Sequence, residues 1–233
     1  MKAAILCAGH GKRLGDYKKQ KSFLIFKKEK LIDRQIRLLK NKKINQIYVI
    51  LRKRNSELFD YLKKNYKNIK LLKYNSKNPL DSTLHLNKYL KKNEKILVTN
   101  IDAIYSPVDL SYFLNHYKIK SYDMCLWTSK FNVKYNEDPA YVKILNKKIL
   151  QYGKKIKKQK FVFGQLRICS KKILYLRNII IKKKKFRMGK YLNFLIDNNY
   201  KLKPYFTKKN TFDIDTIKEM KNINKYLISN GSF

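Results

Sequence analysis

The strongest structural signal in the chain is residues 3–15, Ala-Ala-Ile-Leu-Cys-Ala-Gly-His-Gly-Lys-Arg-Leu-Gly. The apolar run from Ala3 to Ala8 is typical of a buried strand, and it ends in a glycine-rich loop. Three of the seven glycines lie between positions 9 and 15, which favours tight turns or close approach of the backbone to a ligand. Backbone N–H groups together with Lys12 and Arg13 therefore predict a cradle for an anion such as phosphate.

The spacing within this loop excludes two common phosphate-binding motifs. A dinucleotide-binding fingerprint requires glycine at position 14, where Leu14 stands. It also requires an acidic residue at the end of the second strand, where the sequence is Leu51-Arg52-Lys53. A P-loop requires Gly-Lys-Ser or Gly-Lys-Thr, and the chain contains neither tripeptide.

Strand and helix signals alternate through the first half of the chain. The predicted strands are Lys2–Ala8, Gln46–Leu51, Ile69–Tyr74, Lys95–Thr99 and Asp123–Thr128. The predicted helices are Ile32–Leu39, Ser56–Asn65 with Asn55 or Ser56 as cap, Ser82–Leu90 with Asp81 or Ser82 as cap, and Val108–Tyr117. This alternation predicts a mostly parallel sheet with helices on both faces and ligands at the carboxyl ends of the strands.

The pattern changes after about Lys130 to a mixed α+β arrangement. The predicted elements are a hairpin of Ala140–Leu145 and Lys148–Tyr152, the strands Phe161–Cys169 and Lys203–Phe206, and the helices Lys171–Ile180, Arg187–Asn198 and Thr216–Ile228. The chain length suits one domain over residues 1–233, and no linker interrupts it. We therefore expect an α/β domain with a ligand-binding half, 1–128, and a smaller lobe, 129–233.

The net charge of +40 raises the alternative of a nucleic-acid-binding protein. Base composition explains the charge better, because Lys, Asn, Ile, Tyr and Phe, which have A/T-rich codons, make up more than half of the residues. Lysines also outnumber arginines about six to one, the reverse of what bidentate phosphate recognition favours. We expect the lysine-rich segments 154–160 and 182–185 to be solvated, and no nucleic-acid partner.

Membrane insertion and export are not expected from the sequence. No stretch approaches 18 apolar residues without a charge, and no cationic start precedes a signal-type apolar segment. Cys7, Cys125 and Cys169 are odd in number, widely spaced and in apolar surroundings, which fits reduced thiols better than disulfides or a zinc site. A cytoplasmic protein is the expectation.

Carboxylates are scarce, and those that follow apolar strand ends are candidate metal ligands. Asp102 follows the fourth predicted strand, and Asp213 and Asp215 precede the last helix. Alternation in an extended segment places Asp213 and Asp215 on one face. Mg²⁺ favours one or two carboxylates together with substrate phosphates and water. The structural alternative is that Asp215 or Thr216 caps the last helix and that Asp102 caps the turn before Pro107.

Four motifs in order resemble those of the nucleotidyltransferases that activate sugar phosphates and related small phosphates. The first is Ala8-Gly9-x-Gly11-x-Arg13, followed by Gln20-Lys21-Ser22-Phe23-Leu24 and Lys30-Leu31-Ile32. The second is Asn75–Leu84, which resembles the loop and helix start that contact the base and ribose. The third is Asn100-Ile101-Asp102 together with Asp213-Ile214-Asp215-Thr216, and the fourth is Phe163-Gly164-Gln165.

The resemblance implies a Rossmann-like nucleotidyltransferase fold and a role for each matched residue. The nucleotide-binding set would be Leu6, Ala8, Gly9, His10, Gly11, Lys12, Arg13, Lys21 and Ser82. Arg13 would hold the β- and γ-phosphates, and Lys21 would stabilise charge at the α-phosphate. Asp102 and Asp215 would hold Mg²⁺, and Gly164 would face the acceptor. The alternative for Gly164 is a plain bend in the core.

The activity implied is transfer of a nucleoside monophosphate from a nucleoside triphosphate to a phosphorylated sugar or small alcohol phosphate, with release of pyrophosphate. The base and the acceptor stay open, with a slight preference for CTP. A homodimer is compatible with the resemblance. The alternatives are a non-catalytic nucleotide-binding protein on the same fold and a nucleic-acid-binding protein.

Overall fold

The structure is a computed structural model. It describes residues 1–9, 20–116, 122–130, 140–154, 156, 160–181, 186–209 and 211–229. The strands are β1 (Lys2–Leu6), β2 (Ile25–Phe26), β3 (Glu29–Lys30), β4 (Gln46–Leu51), β5 (Ile69–Lys73), β6 (Lys95–Asn100), β7 (Ala103–Ile104), β8 (Met124–Lys130), β9 (Tyr141–Leu145), β10 (Lys148–Gly153), β11 (Phe161–Ser170), β12 (Leu202–Phe206) and β13 (Phe212–Asp213). The helices are α1 (Leu31–Asn41), α2 (Ser56–Asn65), α3 (Pro79–His85), α4 (Pro107–Asn115), α5 (Lys171–Leu174), α6 (Arg177–Ile181), α7 (Met188–Asp197) and α8 (Ile217–Ser229).

The described strands form a mostly parallel central sheet with antiparallel additions, as the alternation predicted. Its order is β10-β9-β11-β6-β1-β4-β5, and β8 pairs with both β11 and β12. Strands β5, β4, β1 and β6 are parallel, whereas β11 runs antiparallel to β6. The chain adds β4 and β5 on one side of β1 and then returns to place β6 on the other. This reversal opens a crevice at the carboxyl end of β1, the usual ligand position in open α/β sheets.

Helices cover both faces of the sheet because β1 buries its side chains alternately on either side. Ala3, Ile5 and Cys7 belong to a hydrophobic cluster that includes residues of α1, α2, α4 and α8. Ala4, Leu6 and Ala8 belong to a second cluster, formed with α3, α5, α6 and α7. A central strand covered on both faces must be apolar at every position, which explains the uninterrupted run at the start of the chain.

Two of the predicted local signals are confirmed in detail. Helix α2 has the predicted bounds, and the Asn55 side chain accepts a hydrogen bond from the Leu58 N–H as its cap. Asn146 and Lys147 both have positive φ, 48° and 60°, between β9 and β10. This is the backbone of a two-residue hairpin turn whose twist matches that of the flanking strands.

The helix predicted over Ser82–Leu90 is corrected by the structure. Helix α3 begins at Pro79 and is capped by Asn78, whose side chain accepts from the Asp81 N–H, and a 3₁₀ turn, Leu86–Tyr89, follows it. Proline suits the first helical position because its missing N–H would have no partner there. Ser82 therefore lies inside the helix and is not its cap.

Among the described residues, no helix has the length and apolar content needed to cross a membrane.

Candidate functional site

A cleft of about 440 Å³ opens at the carboxyl ends of β1, β4 and β6. The segments that line it share this edge of the sheet or face it: Leu6–Gly9, Gln20–Ser22, Arg52, Asn55, Ser76–Pro79, Ser82, Asn100–Asp102 and Asp215. Seven residues selected from the sequence are in this lining: Leu6, Ala8, Gly9, Lys21, Ser82, Asp102 and Asp215. His10, Gly11, Lys12 and Arg13 lie outside the described residues.

The structure brings Lys21, Asp102 and Asp215 together, although they are far apart in sequence. Nζ of Lys21 lies 2.5 Å from Oδ2 of Asp102 and 2.8 Å from Oδ1 of Asp215. All three side chains are mostly buried. Lys21 begins a 3₁₀ turn, Lys21–Phe23, held by a hydrogen bond from the Phe23 N–H to the Gln20 carbonyl. The turn delivers the ammonium group to the two carboxylates.

Backbone pairing holds the two aspartate segments side by side. Strand β13 pairs with β7, with Asp213 opposite Ala103, and the Ile214 N–H donates to the Asp102 carbonyl over 3.1 Å. The segment carrying Asp215 is thus aligned with the segment carrying Asp102 before any side chain contributes.

Helix capping does not account for these carboxylates. The Thr216 hydroxyl accepts from the Glu219 N–H, and the Glu219 carboxylate accepts from the Thr216 N–H, which is a capping box at the start of α8. At α4 the cap is Ser106. Asp102 and Asp215 instead both turn toward Lys21.

Electrostatics explain why a lysine is stable at this depth. Burial lowers the pKa of Lys21, but the charges of Asp102 and Asp215 and their hydrogen bonds outweigh it, so the pKa is raised above its ordinary value. Burial, reinforced by the neighbouring Asp102 charge, raises the pKa of Asp213 well above its usual range. A hydrogen bond with Gln165 opposes this shift. Within the part of the chain that the structure describes, Lys21 is the cation that pairs with Asp102 and Asp215.

The donor set is compatible with Mg²⁺. Oδ1 of Asp102 is buried and has no hydrogen-bond partner among the described residues, whereas Oδ2 is taken by Lys21. No group of three or more His, Cys, Asp or Glu side chains in the described ranges is placed to hold a metal ion. Mg²⁺ needs only one or two protein carboxylates when phosphate and water complete its shell. An orphaned carboxylate oxygen at the cleft fits such an ion.

A cysteine nucleophile is not supported at this site. Cys7 lines the cleft, but burial raises its pKa to about 12, with a smaller opposing effect from its hydrogen bond to Ser22. A thiol with so high a pKa is almost entirely protonated at neutral pH and is a poor nucleophile.

Four residues of the cleft have no ligand-binding role in the sequence-based prediction, although Asn55 is a predicted cap and Asn78 and Asn100 lie within matched motifs. Nε of Arg52 donates to the Ala8 carbonyl over 2.6 Å and so braces the end of β1. Asn55 and Asn78 cap the helices that border the cleft. Asn100 ends β6. The signal that could have identified Arg52 and Asn100 is their position at the ends of two predicted parallel strands.

Gly164 does not line the described cleft. A Cβ atom at this position would lie 2.5 Å from Cδ1 and 3.2 Å from Nε1 of Trp127. The indole is fully buried, and its N–H donates to the Thr211 hydroxyl over 2.7 Å. Close packing of an aromatic ring is thus one reason for glycine here, and contact with an acceptor stays a prediction.

Substituting Gly164 by Ala is expected to lower the free energy of unfolding by about 1–3 kcal/mol, because the added methyl group overpacks a core that cannot yield without moving Trp127. Urea unfolding followed by Trp127 fluorescence measures the effect. Gly9→Ala is the control, since no atom of the described residues lies within 4 Å of a Cβ there. Equal unfolding midpoints for Gly164→Ala and wild type would contradict this packing argument.

Comparison with known proteins gives one family match and several structural likenesses. Residues 3–167 match the MobA-like NTP transferase domain. The inositol-1-phosphate CTP transferase from T. maritima superposes with a TM-score of 0.84 at 15% identity, covering 100% of this chain and 97% of that one. HddC from Yersinia pseudotuberculosis superposes with a TM-score of 0.75 at 17% identity, covering 97% and 99%.

A third likeness is to a protein from Bacillus anthracis assigned as a glucose-1-phosphate thymidylyltransferase, with a TM-score of 0.82 at 16% identity, covering 97% of this chain and 94% of that one. At such identities these likenesses establish the fold, which is the Rossmann-like fold of nucleotidyltransferases. No protein with a curated function matches the chain.

Proposed function

This chain belongs to the family of MobA-like NTP transferase domains, and from that membership we propose that it transfers a nucleoside monophosphate from a nucleoside triphosphate to a phosphorylated sugar or polyol. Pyrophosphate is the second product. The observation that carries the proposal is the convergence of Lys21, Asp102 and Asp215 on the cleft that follows β1.

The reaction is a displacement at phosphorus. An oxygen of the acceptor phosphate attacks the α-phosphorus, a new P–O bond forms, and the bond to the bridging oxygen of the β-phosphate breaks with release of pyrophosphate. A phosphate monoester is largely dianionic at neutral pH, because its second pKa is about 6, so the attack needs no general base. The protein must instead position two anions and neutralise their charge.

Lys21 is assigned to charge stabilisation at the α-phosphate. Its ammonium group is held by two carboxylates rather than by solvent, so it is already oriented at the cleft. Preorganised charge of this kind stabilises a transition state without reorganisation during the reaction. Asp102 and Asp215 would hold Mg²⁺, which when bound supplies Lewis-acid stabilisation of the phosphoryl oxygens.

The triphosphate is assigned to the glycine loop that follows β1, with Ser82 and the capped start of α3 at the nucleoside end of the cleft.

Arg13→Ala should weaken triphosphate affinity about tenfold or more, because a charge-assisted bidentate contact is lost, with a smaller effect on the rate at saturation. Titration with a non-hydrolysable triphosphate measures it. Arg13→Lys keeps the charge but loses the planar guanidinium, so its triphosphate affinity should lie between those of wild type and Arg13→Ala. Unchanged affinity in Arg13→Ala would remove Arg13 from this role.

The experiment that tests the proposed function is a pyrophosphate-release screen. The four ribonucleoside triphosphates and deoxythymidine triphosphate are combined with inositol, hexose, polyol and choline phosphates, with and without Mg²⁺. We expect turnover with one pair, and CTP is tested first because the protein from T. maritima is named for CTP. Saturable triphosphate binding with no pyrophosphate from any pair would favour a non-catalytic nucleotide-binding protein. Tight, salt-dependent binding of nucleic acid alone would favour the other alternative.

We also propose that residues 1–233 act as one domain, with the half before residue 129 binding the nucleotide and the half after it binding the acceptor. A cytoplasmic location and a homodimer are part of the same proposal. Light scattering of the purified chain tests the homodimer.

A further inference from the structure

One side of the cleft is formed by the segment between β5 and α3, residues Ser76–Pro79, here called the β5–α3 wall. The carboxylate of Asp81 holds this wall in place. Its Oδ2 accepts from the Lys77 N–H over 2.9 Å, and its Oδ1 accepts from the Tyr74 hydroxyl over 2.7 Å. Tyr74 directly follows β5, so one carboxylate joins the start of the loop to the wall. The lining of the cleft includes Lys77 and the rest of the wall but not Asp81.

The two ends of the same loop are also anchored by asparagine side chains. Oδ1 of Asn75 accepts from the Lys53 N–H over 3.0 Å, which ties the loop to the segment after β4. Oδ1 of Asn78 accepts from the Asp81 N–H over 3.1 Å, and its Nδ2 donates to the Phe186 carbonyl over 3.1 Å. Asp81 therefore contacts the wall twice, through its backbone and through its carboxylate.

Tyr74, which donates to Asp81, is itself fixed by two neighbours. Nη2 of Arg177, in α6, donates to the Tyr74 hydroxyl over 3.1 Å. The tyrosine ring stacks on His85, with centroids 3.9 Å apart and planes 7° from parallel. A hydroxyl can donate one hydrogen bond and accept others, so a guanidinium and a carboxylate satisfy it together. The position of the Asp81 carboxylate is thus set by β5, α3 and α6 and not by solvent.

The β5–α3 wall lies away from the charged cluster. The sheet order β6-β1-β4-β5 separates the end of β6, near Asp102, from the end of β5 by three strand spacings, about 14 Å. Because Lys21 and Asp102 are assigned to the α-phosphate, the wall is placed for the nucleoside and not for the reacting phosphorus. Ser76 and Asn78 offer groups that donate and accept, as the polar edges of a base and a ribose require.

We propose that Asp81 is a positioning residue for the nucleoside, which holds the β5–α3 wall in the shape that the base and ribose contact. This inference rests on the proposed function, since it assigns the nucleoside to this end of the cleft. Asp81 acts through the Lys77 N–H and the Tyr74 hydroxyl. Without the carboxylate the wall would have to be ordered when the nucleotide binds, and that ordering would lower the affinity.

Asp81 also lies in the first turn of α3, where a negative charge stabilises a helix. A loss of stability alone would therefore not reveal a positioning role. The readout must separate binding of the nucleoside from binding of the phosphates, because only the first depends on the wall.

The test variant is Asp81→Ala, titrated with two ligands in the presence of Mg²⁺. One is the triphosphate of the screen that wild type binds most tightly, and the other is inorganic tripolyphosphate, which has no nucleoside. We expect the nucleoside triphosphate to bind about tenfold more weakly, as loss of hydrogen bonds to a charged group implies. Tripolyphosphate affinity should stay at the wild-type value. Asp197→Ala, at the exposed end of α7, removes the same charge and should change neither affinity.

Tyr74→Phe is the second variant and decides the question if Asp81→Ala does not fold. It keeps the ring that stacks on His85 and removes the hydroxyl that donates to Asp81, so it should weaken nucleotide binding alone, by less than Asp81→Ala. Wild-type nucleotide affinity in a folded Asp81→Ala, or an equal loss for both ligands, would overturn the proposal, as would failure of wild type to bind any of the triphosphates. Because binding needs no acceptor, the titrations decide the role of Asp81 even if no substrate pair releases pyrophosphate.

Discussion

Asp102→Asn and Asp215→Asn are each expected to reduce the rate of pyrophosphate release by about 100- to 1,000-fold, the range seen when a group that stabilises transition-state charge is removed. Each change keeps the shape of the side chain and removes one of the negative charges that face Lys21 across 2.5 and 2.8 Å. The fold should survive, because the pairing of β7 with β13 and the Ile214–Asp102 hydrogen bond involve backbone atoms only.

The measurement is kcat/KM for the pair of substrates identified by the screen, together with Mn²⁺ affinity. The double variant should be hardly worse than either single one, because both residues serve one cation site and their effects are not additive. Asp60→Asn, on the exposed side of α2, is the control. Fully additive losses, or activity that survives chelation of divalent cations, would contradict a shared site.

Lys21→Met should lower kcat by about 100-fold and also destabilise the metal-free protein. Methionine keeps the bulk of the side chain but removes the cation that faces Asp102 and Asp215, and these carboxylates lie close to Asp213. Leaving a mostly buried carboxylate pair without its lysine should cost about 3 kcal/mol of unfolding free energy, the lower end of the range for a broken buried ion pair. A divalent cation should then replace the missing charge.

Thermal melting with and without Mg²⁺ measures the loss of stability in Lys21→Met and its recovery by a divalent cation. We expect millimolar Mg²⁺ to raise the melting temperature of Lys21→Met more than that of wild type, since a ligand that binds the folded state stabilises it. Lys92→Met, on an exposed turn, is the control. A variant with wild-type stability in the absence of metal would show that Lys21 is not the counter-charge of this cluster.

Local signals were enough to predict much of the fold. The uninterrupted apolar run from Ala3 places β1 in the centre of the sheet, because only a strand covered on both faces is apolar at successive positions. The bounds of α2 follow from its cap at Asn55 and its amphipathic pattern. The predicted start of α3 at Ser82 is wrong, because Pro79 occupies the first helical position and Asn78 before it is the cap.

Part of the candidate metal site could also be predicted from local features of the sequence. Asp102 was indicated by its place after a parallel strand, since parallel strands bring their carboxyl ends to one edge. Asp215 was indicated by its place before the last helix and by the motif Asp213-Ile214-Asp215-Thr216. The sequence alone therefore determined the central strand, the alternation of strands and helices in the first half, the family resemblance and part of the cleft edge. These depend on periodicity, on turn chemistry and on short motifs that are local in the chain. It did not predict β2, β3, β7 and β13, and the helix predicted over Lys171–Ile180 is divided into α5 and α6.

The tertiary structure alone decided the contacts between distant segments. Lys21 meets Asp215, 194 positions away, and Gln165 accepts a hydrogen bond from Asn100, 65 positions away. Neither contact has a local signature, because the left-handed turn at Gln165 and the pairing of β13 with β7 depend on how β11 crosses the sheet. The need for glycine at position 164 also has no local signature, since the missing side chain matters only where Trp127 packs against it. Local patterns determine which face a residue occupies, whereas the distance between two charged groups is set by the packing of the whole sheet.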